Sequence, residues 1–128
     1  MDEKKMVGFW LKSAKKDRES ALGCFKLKHY DWCLFIWQLV IEKTLKARLI
    51  NFEKKVLWTH NLVLLCDKGG IKLDVEEERE LNEISSFNIE ARYDDIKYSF
   101  YKKATKKYTE KWVGVCEKFY KRFKKGLL

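Results

Sequence analysis

The chain has 128 residues, 46% of them hydrophobic and 37% charged, with a formal net charge of +9 and no proline. This composition argues against a disordered chain, and the length suits one domain, residues 1–128, with a sizeable core. Because helix breakers are few, we expect an all-α fold.

The positive charge is concentrated in the C-terminal quarter of the chain. Residues 1–96 carry 17 basic and 17 acidic residues, whereas residues 97–128 carry 11 basic residues against Glu110 and Glu117. Such polarity suits contact with a nucleic acid or an acidic partner, and it equally suits a solvated lysine face on a terminal helix.

Apolar periodicity predicts four long helices and one short helix, arranged as an up-down bundle. The first two cover about residues 5–28 and 32–52, with Asp31 as the N-cap of the second. Thr59 is the predicted cap of the short helix, and Asp74 is the predicted cap of the helix after it. The last helix is expected to begin at about Asp95 and to continue to residue 123 or so.

The second helix begins with the run WCLFIWQLVI, which is apolar on every face except at Gln38. A helix that is apolar all round must be covered all round, so we expect a second subunit to cover part of it. The run has ten residues, and a membrane-spanning helix needs about 20. We therefore predict a buried helix and no membrane segment.

The sequence predicts no metal and no cofactor. The four cysteines form no CxxC pair, and the N-terminus shows no apolar secretion signal, so we expect reduced thiols and a cytoplasmic location. The spacing Cys24-x4-His29-x3-Cys33 resembles three metal ligands, but it lacks the tight pairing and the fourth ligand of a zinc site. His60, at a predicted helix start, is interpreted as structural, bonding the loop or the helix end.

Aromatic and basic residues alternate in YSFYKKATKKYTEKW, residues 98–112. Such interleaving suits nucleic acid, because lysines neutralise phosphates while rings stack on bases. Phe100, Tyr108 and Trp112 fall on the predicted core stripe. Tyr98 and Tyr101 are therefore the rings that we expect to be free for stacking.

The order of several short motifs resembles the HEPN family over about residues 7 to 120. The matching residues are Trp10, Ala14, Asp17, Ala21, Tyr30, Gln38, Glu42, Lys43, Leu45, Lys46, Ala47, Thr59, His60, Leu62, Leu65, Gly70, Arg92, Tyr93 and Asp95. This resemblance implies an up-down helical bundle that forms a homodimer.

The resemblance also implies two functional modes. Some HEPN dimers are metal-independent ribonucleases, often toxins, built on an Arg-x4–6-His motif at the subunit interface. Other HEPN proteins are partners of a minimal nucleotidyltransferase encoded beside them, as toxin to antitoxin or as a substrate- or nucleotide-binding subunit.

This sequence departs from the ribonuclease motif. After Arg92, the three positions where the motif places histidine hold Lys97, Tyr98 and Ser99, and no histidine follows anywhere. Lys97 or Tyr98 would act as acid or base only with a strongly lowered pKa, from ordinary values of about 10. The structural alternative for Arg92 is a bond to the carbonyl end of the preceding helix, or an ion pair with Glu90, Asp94 or Asp95.

We therefore predict a homodimeric, non-catalytic protein that binds nucleotide or RNA as the partner of a minimal nucleotidyltransferase. The predicted binding residues are Arg92, Tyr98, Tyr101, Lys102 and Lys106. The alternative is a metal-independent ribonuclease or toxin in which Arg92 stabilises the transition state and Tyr98 or Lys97 serves as acid or base.

Overall fold

Six α-helices make up the fold in a computed structural model, which describes residues 2–53 and 57–127 without the side chains of Glu53, Asp94 and Asp95. They are α1 (Glu3–Lys26), α2 (Tyr30–Glu53), α3 (Leu62–Lys68), α4 (Val75–Glu90), α5 (Asp94–Lys103) and α6 (Lys106–Lys124). The described ranges contain no strand. The predicted all-α bundle is confirmed.

Helix α2 lies at the centre and packs against each of the other five helices. Within its apolar run, Cys33, Leu34 and Trp37 are fully buried, and Trp32 is the most accessible residue, at 39% exposed. Trp32, Phe35, Ile36 and Leu39, spaced as one face of the helix, stay partly exposed, so the chain leaves one apolar stripe of α2 incompletely covered. The inference that α2 needs a second subunit, like dimerisation itself, stays a prediction.

The predicted last helix is two helices, α5 and α6. Ala104 leaves the helical conformation, and Thr105 caps α6 by accepting a 3.2 Å hydrogen bond from the backbone N–H of Tyr108. Threonine is a favoured N-cap, so the break has a local cause. Because Phe100 and Ala104 are buried like the stripe of α6, both helices still pack on one core.

Other helix ends differ from the prediction by a few residues. Asp74 caps α4 in a capping box with Glu77, as predicted. The cap of α3 is Asn61, whose side chain accepts a hydrogen bond from the N–H of Leu64, whereas Thr59, two residues earlier, accepts one from the N–H of Asn61. Helix α2 begins at Tyr30, which places Asp31 in its first turn.

A buried polar network lies on α2 and connects it to neighbouring elements. Gln38 donates to Glu42 at 2.9 Å and accepts from the Asn88 amide of α4 at 2.8 Å. Glu42 also accepts from Lys46 at 2.8 Å and lies 2.7 Å from Nδ1 of His60. Gln38, Glu42, Lys46 and Asn88 are each at most 5% exposed. The network therefore joins α2, α4 and the segment before α3.

The carboxylate of Glu42 stays charged in this network. Burial acts to raise its pKa, but hydrogen bonds from Lys46, Gln38 and His60 outweigh burial and hold the pKa below its ordinary value. Among the described side chains, Lys46 contacts one carboxylate, that of Glu42, and the faces of Trp10 and Trp58, about 5 Å away. The two charges therefore depend on each other.

Replacement of Glu42 by Gln should destabilise the protein by about 3 kcal/mol, because it leaves the Lys46 ammonium buried without a counter-charge. Urea unfolding near neutral pH measures this loss. Since the folded pKa of Glu42 lies below its ordinary 4.5, its contribution is complete above that value and disappears as the pH falls through the folded pKa. The difference between wild type and Glu42→Gln should therefore shrink in acid.

The matched control is Glu76→Gln, which removes a carboxylate from an exposed ion pair with Arg79. This variant should unfold at nearly the same urea concentration as wild type. Equal losses in the two variants, or a Glu42 difference that does not change in acid, would contradict a buried, charged Glu42.

Candidate functional site

Helix α5 presents two stacked tyrosines to solvent. Tyr98 and Tyr101 are 66% and 62% exposed, and their rings lie 6.3 Å apart with planes inclined by 17°. Their spacing of three residues places them on one face of the helix. The opposite face carries Phe100, which is buried against Phe87 with ring centroids 5.6 Å apart. Phe100 thus anchors α5 and leaves the tyrosine pair outside.

Of the three described lysines predicted to act with this pair, only Lys102 contacts one of its rings. Nζ of Lys102 lies 4.7 Å from the centroid of the Tyr98 ring, and no described carboxylate lies within 4.0 Å of it. Nζ of Lys97 lies over the Trp32 ring of α2, at 5.0 Å. Lys106 is on the next helix, exposed, at 4.0 Å from Glu110. The tyrosine face, defined as Tyr98, Tyr101 and Lys102, is therefore the part of the predicted site that the fold brings together.

Arg92 lies at the corner between α4 and α5 and is held by the end of α4. Its Nε donates to the carbonyl of Asn88 at 2.9 Å, and its guanidinium carbon lies 5.7 Å from the Tyr93 ring. Glu90 lies instead near Lys103, at 3.8 Å, and the predicted partners Asp94 and Asp95 lie outside the described side chains. The bond to the helix end, one of the two structural alternatives, is the one observed.

Arg92 is not assembled with the residues predicted to act beside it. Among the described side chains, no hydrogen bond or ring contact joins it to Lys97 or Tyr98. General acid–base chemistry requires a group within hydrogen-bond reach of the reacting proton. The corner therefore offers a cation and aromatic surface, and none of the side chains that the structure describes is an oriented acid or base beside the arginine.

The sequence predicted that His60 bonds the loop or the helix end, and the structure places its ring against Glu42 of α2. Its side chain is 56% exposed, and its Nδ1 contacts the buried Glu42 carboxylate. The signal in the sequence was the pair Gln38 and Glu42, two polar residues one turn apart in an apolar helix. That spacing predicts a buried polar contact but does not identify a partner 18 residues further on.

The cysteines are free, and three of them are buried: Cys33, Cys66 and Cys116. Burial raises the pKa of Cys33 and that of Cys66 to about 12. A thiol with so high a pKa carries little thiolate near neutral pH, so neither is suited to nucleophilic chemistry. The side chains that the structure describes include no group of three His, Cys, Asp or Glu placed to hold a metal ion.

Part of the C-terminal basic charge is used within the fold. Lys103 pairs with Glu83 at 2.9 Å, and Lys118 pairs with Glu80 at 3.2 Å. Arg122 donates to Glu77 in the same row. Lys118 and Arg122 of α6 are thus paired with α4, and the solvated-face interpretation of the remaining lysines stays open.

Among the helices that the structure describes, none has the length and apolar character needed to cross a bilayer.

The comparisons with known proteins agree with this architecture. Residues 7–127 match the family model described as the HEPN domain. The crystal structure of TT1696 from Thermus thermophilus is similar, with a TM-score of 0.80 and 20% identity over 95% of this chain and 98% of that chain. At this identity the likeness shows the fold alone. No curated protein matches. Because the family model matches nearly the whole of this chain, the chain belongs to the HEPN family.

Proposed function

We propose that this HEPN protein binds single-stranded RNA or a nucleotide through the tyrosine face of α5, without cleaving it. The observation that carries the proposal is the exposed, stacked pair Tyr98 and Tyr101 with Lys102 over one ring. Large aromatic side chains exposed side by side are typical of surfaces that contact a ligand.

The chemistry of the face suits a nucleic-acid strand. Every base has a π-face, and stacking on an aromatic side chain contributes about 1–3 kcal/mol per base. The Tyr101 ring can receive a base, while Lys102, which lies over the Tyr98 ring, contacts the adjacent phosphate. Arg92, Lys97 and Lys106 lie on the elements around this face and add positive charge to it. Binding of this kind is sequence-tolerant and salt-dependent.

The ribonuclease alternative has less support. It needs Arg92 together with Tyr98 or Lys97, and these side chains do not contact one another within the described chain. Nε of Arg92 is already used on the Asn88 carbonyl, and no hydrogen bond from a described residue orients the Tyr98 hydroxyl. Arg92 is therefore proposed as a binding and helix-end residue.

We also propose that the protein acts as the partner of a minimal nucleotidyltransferase. The support is membership of a family in which this partnership is one of two modes, together with an incomplete ribonuclease motif. Co-expression with a nucleotidyltransferase encoded beside this chain tests it. If the two proteins elute separately in gel filtration, the partnership is contradicted, whereas the RNA-binding proposal is unaffected.

The double change Tyr98→Ala and Tyr101→Ala should weaken binding of a labelled oligouridine by about tenfold or more, since at least one stacked base is lost. Lys102→Gln should weaken binding less and should lower the salt dependence by about one phosphate contact. Fluorescence anisotropy over a range of salt concentrations measures both effects.

The matched controls are Phe9→Ala, an exposed ring on α1, and Lys118→Gln, a lysine already paired with Glu80. Neither should change the affinity appreciably. Equal weakening by Phe9→Ala, or no binding by wild type, would contradict the proposal. A different outcome is that wild type cleaves a mixed-sequence RNA in EDTA and leaves 2′,3′-cyclic phosphate ends. If Arg92→Ala abolishes that cleavage, the ribonuclease function is supported and non-catalytic binding is contradicted.

Dimerisation is the third part of the proposal, and we assign it to the α4–α5 corner. Ile89 and Tyr93 are 53% and 52% exposed there and flank Arg92. Burial of such side chains against a second copy would be favourable, at roughly 25 cal/mol per Å² of apolar surface. It would also bring two copies of Arg92 close together.

Ile89→Glu should therefore convert a dimer into a 15.4 kDa monomer, because it places a charge in the proposed apolar contact. Light scattering coupled to gel filtration measures the mass. Val75→Glu, which changes an exposed residue at the other end of α4, is the control and should remain dimeric. A monomeric wild type, or a dimer unaffected by Ile89→Glu, would exclude this interface.

A further inference from the structure

A second basic surface is formed by lysines from opposite ends of the sequence. Lys12 and Lys15 of α1 face Lys121, Lys124 and Lys125 at the end of α6 across an open groove of about 580 Å³. We call this the lysine groove. The sequence separates its two walls by more than 100 residues, so the cluster exists only in the folded protein.

Several acids near this groove are paired elsewhere, and Glu19, one turn after Lys15 on α1, is exposed to solvent. Glu117 of α6 accepts two hydrogen bonds from Arg18 of α1, at 2.7 and 2.5 Å. Glu77 and Glu80 form ion pairs with Arg122 and Lys118 on the other face of α6. Within residues 2–53 and 57–127, excluding the undescribed side chains, none of the five groove lysines has a carboxylate oxygen within 4.0 Å. The groove is therefore a concentrated positive surface.

The floor of the groove is apolar. It consists of Leu11, Tyr120 and Leu127. Tyr120 is only 7% exposed, and Nζ of Lys124 lies 4.3 Å from its ring centroid. The only aromatic ring of the floor is thus covered, and a nucleobase would find no open ring to stack on. This separates the groove from the tyrosine face of α5.

We propose that the lysine groove docks an acidic amphipathic helix of a partner protein. Such a helix has a central apolar stripe with carboxylates on both sides, and it matches an apolar floor between two lysine walls. The complementary charges would speed association and fix the orientation of the helix. A nucleic-acid strand would pair its phosphates with the lysines of the walls but would offer no apolar side chain to the floor.

The test uses a designed probe, a helical peptide of about 18 residues, roughly 27 Å long, with a leucine stripe between two rows of glutamate. Wild type should bind it. The triple change Lys15→Gln, Lys121→Gln and Lys124→Gln should weaken binding by about tenfold, as expected for three lost ion pairs of surface strength. Anisotropy of the labelled peptide measures the affinity.

The matched control removes the same charge from exposed lysines elsewhere, with Lys4→Gln, Lys26→Gln and Lys68→Gln. It should bind the peptide nearly as well as wild type. Circular dichroism checks that both triple variants keep their helices. A peptide with glutamine in place of glutamate should bind weakly, because the proposal depends on charge.

Several results would overturn the proposal. They are no binding by wild type, equal weakening by both triple variants, or equal binding of the glutamine peptide. A groove variant that loses oligouridine and keeps the peptide would identify nucleic acid as the occupant instead. Peptide binding should survive Tyr98→Ala with Tyr101→Ala, so failure of the RNA-binding proposal and failure of this one give different results.

Discussion

The buried carboxylate of Glu42 is the constraint on which the arrangement of the site depends. It holds Lys46 and His60 directly and Asn88 through Gln38, so α4 and the segment before α3 are fixed against the central helix. Asn88 also provides the carbonyl that receives Arg92. The position of the α4–α5 corner, and with it the tyrosine face, therefore follows from a charge buried on α2.

The sequence predicted what short-range patterns determine. The all-α class, the cap at Asp74 and the outward position of Tyr98 follow from periodicity and local hydrogen bonding, and the structure confirms them. The break at Thr105 was missed because the apolar stripe continues across it. The Glu42–His60 contact and the lysine groove join residues that are distant in the chain, and no local pattern indicates which distant side chains will meet.

The chain shows how a family fold can remain while its best-known motif is incomplete. The HEPN match covers residues 7–127, yet Arg92 donates to the end of its own preceding helix, and no histidine follows it. We propose instead that two separate cationic surfaces serve recognition. One carries exposed rings, and the other has an apolar floor between lysines. Their different chemistry favours different ligands, a nucleic-acid strand for the first and an acidic helix for the second.

The most direct test of the central claim is to map where RNA lies on the protein. A short RNA containing 4-thiouridine would be bound, photo-crosslinked and digested, and the modified peptides identified by mass spectrometry. We predict crosslinks at Tyr98 or Tyr101, because a stacked base lies against the ring that captures it. Crosslinks confined to the α1–α6 groove, or none under saturating binding, would contradict RNA recognition by the tyrosine face.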